Sequence, residues 1–156
     1  EHSFHLAMMA VVLSKYSNTP VDVNKVIKMA LVHDLPEIYA GDVMVYNKKQ
    51  GEISREDEKA ADKIFGMLPQ QQGDELKALW REFEEKKTPE AKFAAAIDRL
   101  EPIMQNYAHN GGAWVQHNIN AERVFEVNRH IGNGSAELWE YAEGLVKECA
   151  QKEYIK

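Results

Sequence analysis

Residues 22–34 read DVNKVIKMALVHD. Val23, Val26, Ile27, Ala30 and Leu31 fall at i, i+3, i+4, i+7 and i+8, the spacing that lines one face of an α-helix. Asp22 ahead of them is a helix-capping residue type, and Val21 can staple onto Val26 at the fourth helical position. One more turn lands on His33, seven residues after Val26, and on Asp34, seven after Ile27. The pattern turns an imidazole and a carboxylate toward the interior. A buried carboxylate is costly unless it is paired, so the sequence must supply a partner, and a metal ion would serve. Taken alone, a buried His-Asp pair fits a structural hydrogen bond equally well.

The same helical period governs the rest of the chain, and no sustained strand alternation interrupts it. Ser3 to Ser17 is apolar almost all round, the pattern of a central buried helix. Pro36 opens a short turn or helix that ends by Gly41, and Val43 to Gly51 reads as a loop. Ser54 caps a helix reaching Leu68. After Pro69 and Gly73, an amphipathic helix from Asp74 to Lys87 buries Leu76, Leu79, Trp80 and Phe83. Thr88-Pro89-Glu90 combines a capping hydroxyl, a proline at the first helical position and an acid at the positive dipole end. That helix should reach Tyr107. Gly111-Gly112 breaks it, Val115 to His130 supplies another, and Gly132-Asn133-Gly134 precedes a final helix capped by Ser135. The expected fold is all-α, one compact domain over residues 1–156 with about seven helices.

With 156 residues, 44% of them apolar and 28% charged, the chain can bury a sizeable single core. Nineteen Lys and Arg against 25 Asp and Glu leave a formal charge of −6, which excludes a generally basic surface for a phosphate backbone. Nucleic acid is therefore not expected as a partner. The single cysteine, Cys149, can neither staple the fold nor build a thiolate metal cage, and a reducing, cytoplasmic setting is expected. The apolar run Leu6 to Leu13 falls far short of a membrane span, and Pro102 to Ala121, though free of Asp, Glu, Lys and Arg, is too polar. The sequence begins at Glu1 rather than Met, so an upstream segment is expected.

Two more ligand types point inward. His2 precedes Leu6, Met9 and Leu13 by four, seven and eleven residues. Asp98 follows Ala91, Ala94 and Ala95 by seven, four and three, on a stripe of small side chains that lets another helix come close. Two imidazoles and two carboxylates on the inner faces of three helices fit a mixed nitrogen and oxygen site for a divalent ion. His5 aligns with Met8, Met9 and Val12 and reads as core packing. His109, His117 and His130 show no ligand pattern. Trp80, Trp114 and Trp139 read as core or interface packing. Arg99 beside Asp98 fits a pairing with a neighbouring carboxylate better than a phosphate contact. No phosphate-binding Gly-rich loop of the G-x-x-x-x-G-K-[S/T] type occurs, and Lys48 and Lys49 are weak substitutes.

Glu1-His2-Ser3, then Ala30-Leu31-Val32-His33-Asp34 with Glu37 and Gly41-Asp42 behind it, then Ala96-Ile97-Asp98-Arg99-Leu100 together resemble the HD-domain superfamily of metal-dependent phosphohydrolases. The spacing H-D-x-x-E-x-x-x-G-D is similar to its small 5′-deoxynucleotidase branch. The resemblance implies that His2, His33, Asp34 and Asp98 bind one divalent ion, of which Mn, Co, Fe and Mg all suit such ligands, with Glu37 and Asp42 completing the catalytic pocket. Glu37, four after His33 and three after Asp34, could orient or deprotonate water. Asp42 at its turn could contact a sugar hydroxyl, a base or the departing alcohol. The substrate so implied is a (deoxy)nucleoside 5′-monophosphate, hydrolysed to nucleoside and phosphate. An Arg-bearing segment ahead of the first metal histidine would help bind the phosphate. Phosphodiester or nucleoside triphosphate hydrolysis, and a non-catalytic metal-binding sensor or scaffold, are the alternatives. A homo-oligomer, in the simplest case a dimer, is expected from the chain's Trp and Met content.

Overall fold

A computed structural model of the chain describes residues 1–41 and 53–156. Asp22 caps as the sequence implies: its carboxylate accepts from the backbone N–H groups of Asn24 and Lys25 at 2.9 and 3.3 Å, opening α2 (Val23–Val32). The buried stripe of α2 is Val26, Met29, Ala30 and Val32, while Leu31 stands 46% exposed. The helical bond from His33 N–H to the Met29 carbonyl carries the chain one residue beyond α2. A tight turn through Pro36 leads to the short α3 (Glu37–Ala40), which Gly41 ends with a φ of 85°.

All regular structure among the described residues is helical. The other elements are α1 (His2–Leu13), α4 (Arg55–Phe65), α5 (Gln70–Glu85), α6 (Pro89–Ala108), α7 (Gly112–Gln116), α8 (Ala121–Asn128), α9 (Ile131–Gly134) and α10 (Ala136–Gln151). With α2 counted, seven α-helices among the described residues have eight residues or more, close to the expected number, while α3, α7, α9 and a 3-10 turn at Ser14–Tyr16 are shorter. The caps lie where the sequence puts them. Ser54 and Asp57 form a reciprocal capping box at α4, Thr88 accepts from the Ala91 N–H at 3.2 Å, and Ser135 accepts from the Leu138 N–H at 3.1 Å. No helix among the described residues is long and apolar enough to cross a membrane.

Three sequence expectations are corrected. The central helix is α6, not α1. Leu6, Met9 and Ala10 of α1 are buried against α2 and α6, but Phe4, Met8, Val11 and Val12 lie on its outer side, with Phe4 70% exposed. A helix apolar on every side carries no preferred inward face, so its neighbours alone decide what is covered. The fifth helix starts at Gln70 rather than Asp74. Gly73 sits within it because the Phe65 carbonyl occupies the place where a Cβ would be. The span expected from Val115 to His130 divides into α7 and α8, with Asn118 at φ 54° in the connection.

On α6 the buried positions include Ala91, Ala94, Ala95, Ala96, Ile97, Asp98, Leu100 and Glu101. One close neighbour packs at Lys92 and Ala96. A Cβ on Gly134 of α9 would collide with the Lys92 carbonyl and lie 2.9 Å from the Ala96 Cβ. Pro102 within α6 has no N–H to give the Asp98 carbonyl, so the regular helical bond is missing one turn from that acid. One continuous apolar cluster draws on residues from Leu6 in α1 to Ile155 beyond α10. Trp80 and Trp114 are buried in it and Trp139 packs at its margin. The resulting frame brings the N-terminus of α1, the C-terminus of α2 and the middle of α6 to one place.

Candidate metal centre

Four side chains from three elements converge there. His2 Nε2 lies 3.1 Å from Asp98 Oδ1 and 4.0 Å from Asp34 Oδ2. His33 Nε2 lies 2.9 Å from Asp34 Oδ1 and 3.5 Å from Asp98 Oδ1. The two imidazole rings have centroids 5.6 Å apart, and Phe83 of α5 packs against the His33 ring at 4.8 Å. His33 is buried, Asp98 nearly so, and Asp34 is half-exposed.

The ring orientations follow from their other nitrogens. His33 Nδ1 lies 2.9 Å from the Ala30 carbonyl, which can only accept, so Nδ1 carries the proton and donates. Nε2 then turns its lone pair toward Asp34 and Asp98. The 2.9 Å approach to Asp34 is close enough for an ion pair but misaligned for an N–H···O bond, and buried Nε2 has no hydrogen-bond partner. His2 Nδ1 lies 3.3 Å from Glu101 Oε2, again an acceptor. Both histidines thus present Nε2 to the same carboxylates.

A lone pair set against carboxylate oxygens repels them unless a positive charge lies between. Two ligands about 2.0–2.2 Å from one ion stand about 3 Å apart when adjacent and about 4 Å apart when opposite. The separations of 2.9, 3.1, 3.5 and 4.0 Å match that range. The ligand atoms of His2, His33 and Asp98 all lie within 4.8 Å of one another. These three, with Asp34 beside them at 2.9 Å from His33 and 4.0 Å from His2, make a donor set that fits a divalent ion.

Without an ion, protons take its place. Hydrogen bonding to Asp98 raises the pKa of His2 above its ordinary 6.5, against the opposing effect of burial. Burial also opposes a charge on His33, but Asp34 and Asp98 more than offset it, and its pKa is pushed up to about 10. Asp98 is desolvated, yet His2, His33 and Arg99 hold its carboxyl well below the usual carboxylate range. Arg99 Nε stands 3.4 Å from Asp98 Oδ2, the pairing the sequence suggests, which leaves Oδ1 facing the histidines.

Glu37 begins α3 one turn beyond Asp34, half-buried, with its N–H bonded to the Asp34 carbonyl at 3.0 Å. Asp42, Lys48 and Lys49 lie outside the described residues. His5 is not a core residue. Its side chain is half-exposed and its Nδ1 lies 3.0 Å from Glu101 Oε1. Glu101, only 2% exposed, is the residue that the sequence reading missed. A signal was available, since Glu101 follows Asp98 by three and Ala94 by seven on the same buried stripe.

A family model described as the HD domain matches residues 1–139. The human 5′-deoxynucleotidase HDDC2 is 33% identical over 106 residues, which cover 67% of this chain and 50% of that protein. Its counterpart from Dictyostelium discoideum is 36% identical over 115 residues, covering 70% and 60%. A crystal structure of a predicted metal-dependent phosphohydrolase from Magnetospirillum magnetotacticum MS-1 superposes with a TM-score of 0.91 at 38% identity, over 99% of this chain and 79% of that one. The chain spans between about half and three fifths of the length of these two curated relatives. By its residues and its fold, the chain belongs to the HD-domain family.

Proposed function

We propose that residues 1–156 form one HD-type catalytic domain, a metal-dependent phosphomonoester hydrolase acting on (deoxy)nucleoside 5′-monophosphates. The observation that carries this reading is the convergence of His2, His33, Asp34 and Asp98, with two imidazole nitrogens turned onto two carboxylates. These four residues would hold one divalent ion, with Mn, Co, Fe and Mg as the candidates. Such an ion, when bound, supplies Lewis-acid polarisation of the phosphoryl group and a water of lowered pKa. The names of the 5′-deoxynucleotidase relatives support the choice of substrate class.

The protein's own residues do the rest. His33 is held by the Ala30 carbonyl and the Phe83 ring, so its Nε2 keeps one direction. Arg99 restrains the far oxygen of Asp98. Glu37, one turn from Asp34, would orient or deprotonate the attacking water, and Asp42 would contact a sugar hydroxyl, a base or the departing alcohol. An Arg-bearing segment upstream would complete the phosphate contacts. The buried thiol of Cys149 is in keeping with a reducing cytoplasm. The exposed apolar side of α1 supports a homodimer.

The test incubates the purified protein with Mn²⁺ or Co²⁺ and a panel of nucleoside mono- and triphosphates and phosphodiesters. Free phosphate from monophosphates, abolished in His33→Ala, supports the reading. Turnover confined to diesters or triphosphates contradicts the substrate class. Turnover retained in His33→Ala contradicts the metal assignment.

A further inference from the structure

We propose that Glu101 is a positioning residue that fixes the tautomer and the direction of His2, turning its Nε2 toward the ion site. The inference rests on the metal-binding reading above. Its basis is a buried carboxylate that collects donors. His2 Nδ1 reaches Oε2 at 3.3 Å, His5 Nδ1 reaches Oε1 at 3.0 Å, and the Gln105 amide also donates to Oε1.

A carboxylate this deeply buried is destabilising unless its oxygens are occupied, and here both are. His2 and His33 need the same tautomer, with the proton on Nδ1 and the lone pair on Nε2. His33 obtains it from a main-chain carbonyl of its own helix, Ala30. For His2 the acceptor at Nδ1 is a carboxylate of α6, 99 residues along the chain. Because Asp98 and Glu101 are one turn apart on α6, the helix grips the His2 ring at both nitrogens, Oδ1 of Asp98 on Nε2 and Oε2 of Glu101 on Nδ1. An imidazole that ligates a metal commonly hands its other N–H to a carboxylate in this way, and loss of that acceptor weakens metal binding by about 10–100-fold.

His5, one turn after His2, shares the same carboxylate from a half-exposed position. It gives Oε1 a donor from α1, so that Oε2 stays committed to His2. In Glu101→Gln only one of the two oxygens remains as an acceptor, so one of the two imidazole Nδ1 atoms can no longer donate to residue 101.

The experiment compares wild type, Glu101→Ala, Glu101→Gln and His33→Ala in two measurements. Mn²⁺ affinity is measured by electron paramagnetic resonance of the free ion. The tautomer of His2 in the metal-free protein is read from ¹⁵N ring-nitrogen spectra at a pH where that ring is neutral, with His2 assigned by its absence in His2→Gln. We expect Mn²⁺ to bind about 10–100-fold more weakly in Glu101→Ala and by a smaller factor in Glu101→Gln. In Glu101→Ala, where Asp98 is left as the carboxylate on the ring, the His2 proton should move toward Nε2, and in Glu101→Gln, which keeps one acceptor oxygen, it should move in the same direction by less. A purely structural role for Glu101 would leave that tautomer unchanged. Should Glu101→Ala fail to fold, Glu101→Gln decides by the same two readouts. An unchanged tautomer, together with Mn²⁺ affinity within twofold of wild type, overturns the proposal. Absence of Mn²⁺ binding in wild type, or its persistence in His33→Ala, overturns the metal reading instead, and the tautomer shift still decides the role of Glu101.

Discussion

Asp98 Oδ1 stands 3.1 Å from His2 Nε2, although 96 residues of chain separate them. Helix α6 brings the two together, and the same oxygen reaches His33 Nε2 at 3.5 Å. Among the described residues paired with His2, His33 or Asp98, the carboxylates of Asp34, Asp98 and Glu101 set against Arg99 leave two formal negative charges. Two imidazole protons or one divalent ion would offset them, and that equivalence governs how the site responds to pH, metal and substitution.

Asp98→Ala removes the carboxylate between two imidazoles and Arg99. The metal-free protein should lose about 3–5 kcal/mol of stability in denaturant unfolding, the scale expected when one partner of a buried charge cluster is deleted. Asp98→Asn should lose less, because the amide oxygen can still accept, and neither variant should be stabilised by Mn²⁺.

Metal uptake must displace the imidazole protons. With His33 raised to about 10, its ring carries the extra proton near pH 7, so binding should release about one proton from His33, and the raised pKa of His2 adds to that number. Calorimetry in two buffers of different ionisation enthalpy measures this number, and metal affinity should increase with pH. The sign for stability is opposite in the metal-free state. A folded pKa above the unfolded value of about 6.5 stabilises fully below 6.5, and that contribution is lost as pH rises toward 10. The melting temperature of the metal-free protein should therefore decline over that window, less steeply in His33→Gln.

Glu37→Gln separates chemistry from binding. Removing the group that would orient or deprotonate the water should lower kcat by about 10²–10⁴-fold while the bound metal content stays at the wild-type value. Equal turnover in this variant would assign Glu37 to the end of α3 only.

Gly134→Ala tests the seat of α6. The added Cβ meets the Lys92 carbonyl, a backbone atom that cannot swing aside, so α9 or α6 must shift. The expected loss is about 1–3 kcal/mol in denaturant unfolding, the range for overpacked sites.

Much of this arrangement is written locally. His33 continues the stripe of Val26, Met29 and Ala30, and Asp98 continues a stripe of alanines, so both inward directions follow from the helical period alone. The caps at Asp22, Ser54, Thr88 and Ser135 are equally local, since side chain and amide lie within three residues of each other. What escaped depends on distant partners. Glu101 shares the stripe of Asp98, but its donors arrive from α1, and the local pattern does not name them. Nor does an evenly apolar helix say which side faces out, so its pattern does not tell that Phe4 and Met8 lie outside or that His5 reaches Glu101 instead of the core. Gly73 reads as a breaker until the Phe65 carbonyl is seen against it.

The most direct test is crystallographic. Crystals of the chain soaked in Mn²⁺ and measured at a wavelength where manganese scatters anomalously should show one peak bounded by His2, His33, Asp34 and Asp98, absent in His33→Ala crystals treated alike. A peak elsewhere, or no peak in fully occupied soaks while the four side chains keep their separations of 2.9–4.0 Å, would contradict the account.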